Sequence, residues 1–230
     1  MAKHSKRYNK LSKEVEGVQP QSVESAVKRL KGFVGTKFDQ SVEIAIRLGI
    51  DPKQADQNVR GSVSLPHNIG KPVRVAVFAQ GERAEAARAA GADVVGAEDL
   101  AEKVKGGFMD FDVCLASSDM MKVVGPLGRV LGPKGLMPTP KTGTLVDMNT
   151  DMGKSVKEFK AGKVEFRADA AGIVHALVGK LSLPEEKLKD NIDAFINHIR
   201  SVKPAAVKGH YVRSITVSAT MSPGLPIVAA

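Results

Sequence analysis

From Ser41 to Gly49 the chain reads SVEIAIRLG, with Val42, Ile44, Ile46 and Leu48 alternating against Ser41, Glu43, Ala45 and Arg47. A period of two marks a half-buried strand. Before it, SVESAVKRLKGFV places Val23, Ala26, Val27, Leu30 and Val34 at helical spacing. Ser22 can cap that helix and Glu24 puts an acid in its first turn, although Ser25 stands where a full capping box needs Glu or Gln. IDPKQADQNVRGSVSLP reads as a loop followed by a short strand around Gly61–Leu65, ended by Pro66.

The pattern changes at His67–Pro72. VRVAVFA is an almost continuous apolar run, as expected of a strand buried on both faces of a parallel sheet. ERAEAARAA predicts a helix, ADVVG a strand, EDLAEKVKGG a helix and FDVCLAS a strand; a further helix begins near Asp119 and runs through MMKVVGPL. Strands alternating with helices over short links imply a doubly wound α/β unit. After Met148 the style changes again. GKVEFRADAAG alternates Val164, Phe166 and Ala168 against Glu165 and Arg167, and IVHALVGKLS reads as its hairpin partner. Pro184 opens a helix with Leu188, Ile192, Phe195, Ile196 and Ile199 on one stripe. YVRSITVSAT is the last predicted strand.

Charge sharpens the division. The net charge is +9. Residues 1–70 carry 12 Lys and Arg against 7 Asp and Glu, residues 71–159 carry 12 against 12, and residues 160–230 carry 10 against 6. All the excess positive charge therefore lies in the flanks. If the flanks fold together, they form one basic domain with a neutral domain inserted into it. The expected fold class is α/β and α+β: a discontinuous α+β sandwich, residues 1–67 plus 160–230, and an inserted Rossmann-like α/β domain, residues 68–159. A basic domain suits a polyanionic partner, although a solvated lysine-rich surface has the same composition. The lone cysteine, Cys114, reads as a buried strand residue of a cytosolic protein. No apolar run is long enough for a membrane span, and the basic N-terminal tail MAKHSKRYNKLSKEVEG lacks the apolar segment of a secretory signal.

Val124–Thr144, VGPLGRVLGPKGLMPTPKTGT, is rich in glycine and proline, carries Arg129, Lys134 and Lys141, and holds no acid. It invites a nucleotide-loop reading and fails it. Lys141-Thr142 supplies the end of a Walker loop, but Pro140 stands where glycine is required, and proline has no N–H for a phosphate. The first strand of the insert ends FAQGERAEA, with one glycine where a dinucleotide fingerprint has three. His4, His67, His175, His198 and His210 lack metal-ligand spacing, and no G-x-S-x-G elbow is present. Asp110 and Asp112 share a strand start, where carboxylates are usually solvated. No cofactor or metal is expected, and an enzyme is disfavoured. A nucleotide-dependent enzyme built on the insert, or an interaction module with no RNA role, are the rival readings.

KFDQSVE, SVEIAIRLGIDPKQADQNVRGSVSLP, LGPKGLMPTPKTGT, GKVEFRADAAGIVHALVGK and the terminal ATM, in that order, resemble the ribosomal protein L-one family of the bacterial large subunit. The likeness extends from MAKHSKRY to about Pro223. It implies a discontinuous first domain made of both chain ends, joined by two hinge strands to an α/β second domain; Gly70, Gly153 and Gly162 are the expected hinge glycines. It also implies a structural and regulatory function: binding large-subunit 23S rRNA in the mobile side stalk, assisting release of E-site tRNA, and repressing translation of its own operon by binding its mRNA. The implied setting is the cytoplasmic ribosome, with the free protein a monomer.

Carried over by residue, the resemblance implies RNA contacts at Lys37, Phe38, Asp39 and Ser41, and at Thr220 and Met221. Lys37 can meet a phosphate, Phe38 and Met221 can offer apolar surface to a base or ribose, and Ser41 and Thr220 can bond a 2′-hydroxyl. In isolation Phe38 would read as a core residue and Lys37 as an ordinary surface lysine. Lys163 and Arg167 are further candidates for phosphate. Ser222 is included although the family pattern has glycine there; its Cβ would lengthen the contact or its hydroxyl replace it. The Val124–Thr144 segment becomes a loop of the second domain, either packed or touching RNA.

Overall fold

In the computed structural model, residues 4–33, 36–70, 72–147 and 150–228 are described. The chain begins α1 (Lys6–Val15), α2 (Val23–Lys31), β1 (Ser41–Leu48), β2 (Arg60–Ser64) and β3 (Val75–Phe78). It continues α3 (Glu82–Ala89), β4 (Val94–Gly96), α4 (Glu98–Lys105), β5 (Val113–Ser117), α5 (Met121–Val124), α6 (Gly128–Leu131) and β6 (Leu145–Val146). It closes with α7 (Met152–Ala161), β7 (Lys163–Arg167), β8 (Ile173–Lys180), α8 (Glu185–Ser201), β9 (Val212–Ala219) and β10 (Leu225–Ile227). Two compact units result: Met1–Lys71 with Val164–Ala230, and Pro72–Lys163. These boundaries fall at 71/72 and 163/164, where the sequence reading places them at 67/68 and 159/160; a cut at 159/160 would sever α7. No described helix is long and apolar enough to cross a membrane.

The first unit is organised around β1. Its alternation buries Val42, Ile44 and Ile46 completely, and it is the inner strand of an antiparallel sheet ordered β10-β9-β1-β8. α2 and α8 pack on the apolar face, where Ala26, Val27 and Leu30 meet the Leu188–Ile199 stripe in one core. α2 starts where Ser22 accepts from the Ser25 amide, at 3.3 Å; Val34 lies outside the described residues. Asn191 of α8 is fully buried and spends its amide on backbone, donating to the carbonyls of His67 and Val178 and accepting from the His67 amide. It thereby ties the segment after β2 to the helix.

Three expectations are corrected here. The N-terminal segment is a helix, capped by Ser5, with Leu11 buried in the core. One buried residue among many charges hid its period. β7 and β8 do not form the expected hairpin: β7 pairs with β2 and β8 with β1, the two sharing a single bridge, Ala168 to Val174. The turn is local, since Asp169 accepts from the amides of Ala171 and Ile173 and Gly172 is left-handed at φ +74. Beyond it β8 gains an eight-residue partner in β1 and β7 turns to β2. Finally, β9 is not the last strand, because β10 adds an edge to it.

In the second unit the parallel sheet is ordered β4-β3-β5-β6. Every residue of β3 is buried, and neighbours serve opposite faces: Val75 and Val77 pack towards α3 and α7, Ala76 and Phe78 towards α4 and the α5–α6 turns. Cys114 is buried in β5. The helix expected from Asp119 is broken into short turns, because Gly125, Pro126 and Gly128 interrupt it. α7 went unpredicted. Asp151 caps it at the Gly153 amide and Gly162 ends it at φ +117, with Met152, Val156 and Phe159 facing the core. Gly153 is therefore no hinge: it sits inside a helix, where a Cβ would press against the Ala86 carbonyl of α3. Asp110 and Asp112 are not idle carboxylates, since Arg74 pairs with both and donates its amide to Asp112.

Tyr211 supplies a test of this core. It is 6% exposed, and its hydroxyl is buried with no hydrogen-bond partner among the described residues. Burial disfavours the phenolate and raises the pKa from 10 to about 12. An acid with a raised folded pKa contributes full stability below its unfolded pKa, and loses it as pH climbs through the folded value. Between about pH 10 and about pH 12 the wild type should thus lose up to about 3 kcal/mol that Tyr211→Phe retains. At neutral pH the variant should be no less stable, since no hydrogen bond is lost. Denaturant titrations across this range check both; parallel pH profiles for the two proteins would refute the assignment.

Candidate nucleic-acid interface

β1 and β9 run antiparallel, so the start of one lies beside the end of the other. Ser41 and Thr220 are locked there by three hydrogen bonds. The Thr220 amide donates to the Ser41 carbonyl at 2.9 Å, the Ser41 amide donates to Thr220 Oγ1 at 3.1 Å, and Thr220 Oγ1 donates back at 3.2 Å. Buried Gln40 adds a fourth tie, its Nε2 donating to the Thr220 carbonyl at 2.5 Å. Both sequence-predicted segments, Lys37–Ser41 and Thr220–Ser222, therefore meet at one rim of the sheet.

Two large apolar side chains are open to solvent at this rim. Phe38 is 50% exposed and Met221 64% exposed, so the core reading of Phe38 does not hold. Lys37 is exposed and has no ion-pair partner among the described residues. Asp39 instead looks inward. Its carboxylate accepts from the Ser182 amide at 3.2 Å and hydroxyl at 2.8 Å, and lies 3.9 Å from the Lys180 ammonium. It fixes the loop ahead of β1 rather than presenting a free charge.

Met221 is the only non-glycine described residue with positive φ, at 61°. A side chain in this region costs of order 1 kcal/mol or more and persists only where its surroundings impose it. Arg7 of α1 supplies one restraint, donating from Nη2 to the Met221 carbonyl at 2.7 Å. Ser222 supplies another: its amide donates to the Ala219 carbonyl at 2.9 Å, and its hydroxyl oxygen accepts from the Ala219 amide at 2.9 Å. The serine hydroxyl is engaged within the turn, and the residue that needs left-handed backbone is Met221, not Ser222.

The remaining candidates lie elsewhere. Lys163 and Arg167 are on β7, in the two-stranded sheet. The Lys163 ammonium is 3.1 Å from Glu158 and 4.9 Å from the Phe159 ring centre, and its side chain is 17% exposed, so it is held within the fold. Arg167 is exposed. In the second unit, the hydroxyls of Thr139, Thr142 and Thr144 bond one another at 2.8 Å around a turn that holds Pro140 and Lys141. That end of the Val124–Thr144 segment is closed on itself, with the Lys141 side chain outside. Among the described residues no cluster of His, Cys, Asp and Glu could hold a metal ion. Gln40, Arg7 and Ser182 escaped the sequence reading, since each acts across a separation of 143 residues or more and no local pattern announces it.

Arg7→Ala should loosen the Met221 turn without unfolding the unit. Amide exchange at Thr220 and Ser222 is expected to rise about tenfold, the equivalent of one hydrogen bond to a charged donor. Unchanged exchange at both positions would show that Arg7 does not restrain the turn.

A model of the Ribosomal protein L1p/L10e family matches residues 27–223. The chain is 51% identical over 228 residues to the large ribosomal subunit protein uL1 of Fervidobacterium nodosum, an alignment covering 99% of this chain and 96% of that one. It is 52% identical over 227 residues to the protein of the same name from Saccharophagus degradans, covering 99% and 97%. The family match takes in both rim segments and the whole inserted unit. With a match of this extent and relatives this similar from end to end, the chain belongs to the Ribosomal protein L1p/L10e family.

Proposed function

We propose that this protein is an rRNA-binding component of the large ribosomal subunit, and that the Ser41–Thr220 rim is its principal RNA contact. The observation that carries the reading is the convergence of two exposed apolar side chains, Phe38 and Met221, with Lys37 and a strained backbone turn, on a basic unit built from both chain ends. Two large side chains left in water are unremarkable singly; set together beside a cation they make a stacking platform with a phosphate anchor. Ser41 and Thr220 are half-buried beside them, and the Thr220 hydroxyl is taken up by the Ser41 backbone, so Thr220 shapes the rim rather than offering a free hydroxyl. The proposed target is a folded region of 23S rRNA in the side stalk, and the relatives' names as large-subunit proteins support it.

Two further roles follow from the same reading. A similar fold in the mRNA of the protein's own operon would occupy the same rim and repress translation. Movement of the stalk with departing E-site tRNA would make the protein an aid to tRNA release. Neither involves a covalent step, so no enzyme, cofactor or metal enters. The free protein acts as a monomer in the cytoplasm before joining the ribosome.

Filter binding to a side-stalk rRNA fragment tests the proposal. Phe38→Ala should raise Kd about 5- to 150-fold, the worth of about 1–3 kcal/mol of base stacking on an aromatic ring, and Met221→Ala should raise it by a smaller factor through lost apolar contact. Both side chains are exposed, so melting temperatures should stay within a few degrees of wild type. Affinity should fall steeply with salt, and DNA of the same sequence should bind more weakly. Salt-indifferent binding, equal affinity for DNA, or Kd values unmoved in both variants would refute the assignment.

A further inference from the structure

At the other end of β1 the same strand pair builds a different feature. Arg47 pairs with Ser214 and Leu48 with Val212, so Arg213 is the extra residue of a β-bulge. Bulges re-aim side chains; here Arg213 and its neighbour Ser214 are both exposed. Arg213, Lys208, His210, Val212 and Gly49 line a concavity of about 540 Å³. Its floor requires glycine, because the Gly49 amide bonds the Tyr211 carbonyl at 2.7 Å and a Cβ there would collide with the His210 carbonyl.

No carboxylate lines this concavity. Among the described residues Lys208, His210 and Arg213 have no ion-pair partner. The acids of the neighbouring loops are engaged with their own turns. Asp51 accepts from the Lys53 amide, and Asp169 accepts from Ala171 and Ile173 and pairs with His175. Arg47 adds another exposed cation to the adjoining sheet face. Two unpaired cations, Lys208 and Arg213, converging on a built concavity that the His210 imidazole also lines, match phosphate.

We infer that this pocket is a second RNA-phosphate site, engaging the backbone of the same RNA that the Phe38–Met221 rim holds. The inference rests on the RNA reading of that rim. Eight strand residues separate the two sites, about 24 Å at strand rise, so one folded RNA lying along the sheet can reach both. The pocket contributes affinity and salt dependence without reading sequence.

The test is the double variant Lys208→Ala with Arg213→Ala in the full chain, measured across salt against the side-stalk rRNA fragment. Two lost phosphate contacts should make the slope of log K against log salt shallower by about 1.8. Affinity should weaken about tenfold at low salt, equally for a scrambled RNA, whereas Met221→Ala should leave the slope unchanged. Inorganic phosphate, titrated into RNA-free protein, should shift the amides of Gly49, Gly209 and Arg213 in wild type but not in the double variant. An unchanged slope overturns the inference, whether or not the amides respond. Should wild type fail to bind the fragment while those amides respond, the rim assignment falls and the phosphate pocket stands.

Discussion

Antiparallel pairing of β1 with β9 is the constraint on which the molecule rests. It brings together residues 179 apart, joins the two flanks of the insert into one unit, and sets Phe38 and Met221 on the same rim. The insertion costs this pairing little. Loop-closure entropy grows only with the logarithm of length, by about 0.6 kcal/mol per doubling, and removing the insert would roughly halve the separation. What holds the ends is the completely buried face of β1, whose register cannot slip by one residue without turning Val42, Ile44 and Ile46 to solvent.

That same physics decides what was legible in the sequence. β1, β3, α2 and α8 announce themselves because each buries a regular stripe, and burial of a stripe leaves a period. α1 buries one side chain, Leu11, and its charges conceal the helix. α7 carried usable signals in its Asp151 cap and Gly162 terminator, yet Gly153 looked like a hinge because glycine's freedom and glycine's small size are indistinguishable in a sequence. The β7–β8 error is of another kind. Adjacent alternating segments with a turn between them fit a hairpin locally, and only the competition from β1 and β2 for partners redirects them.

The rim was partly legible, through resemblance rather than periodicity. Nothing local distinguishes Phe38 from a core phenylalanine; only its position in a loop before a strand whose partner is nearly the whole chain away leaves it in water. The ties that hold the rim, from Gln40, Ser182 and Arg7, are long-range hydrogen bonds between side chain and backbone or hydroxyl, and such bonds leave no spacing rule in either segment. Asp39 shows the converse. Its place in the segment suggests a contact, but its carboxylate serves the loop.

Each unit matches some of its charges and leaves others open. Arg74 pairs with Asp110 and Asp112 and Lys160 with Asp93 in the inserted unit, while Lys28 and Lys189 pair with Glu24 and Lys180 with Asp39 in the split one. In the split unit Lys37 at one end of the sheet, and Lys208 and Arg213 at the other, are left unmatched among the described residues. Unmatched cations at an exposed surface add little to stability and repel one another, and left-handed backbone at Met221 opposes folding too. Features that cost stability persist where something outside the fold rewards them. Lys37, Lys208, Arg213 and the left-handed turn at Met221 lie at the two ends of one strand pair, and that placement is the physical reason for treating the β1–β9 pair as a single extended surface for a polyanion rather than as two accidents of composition.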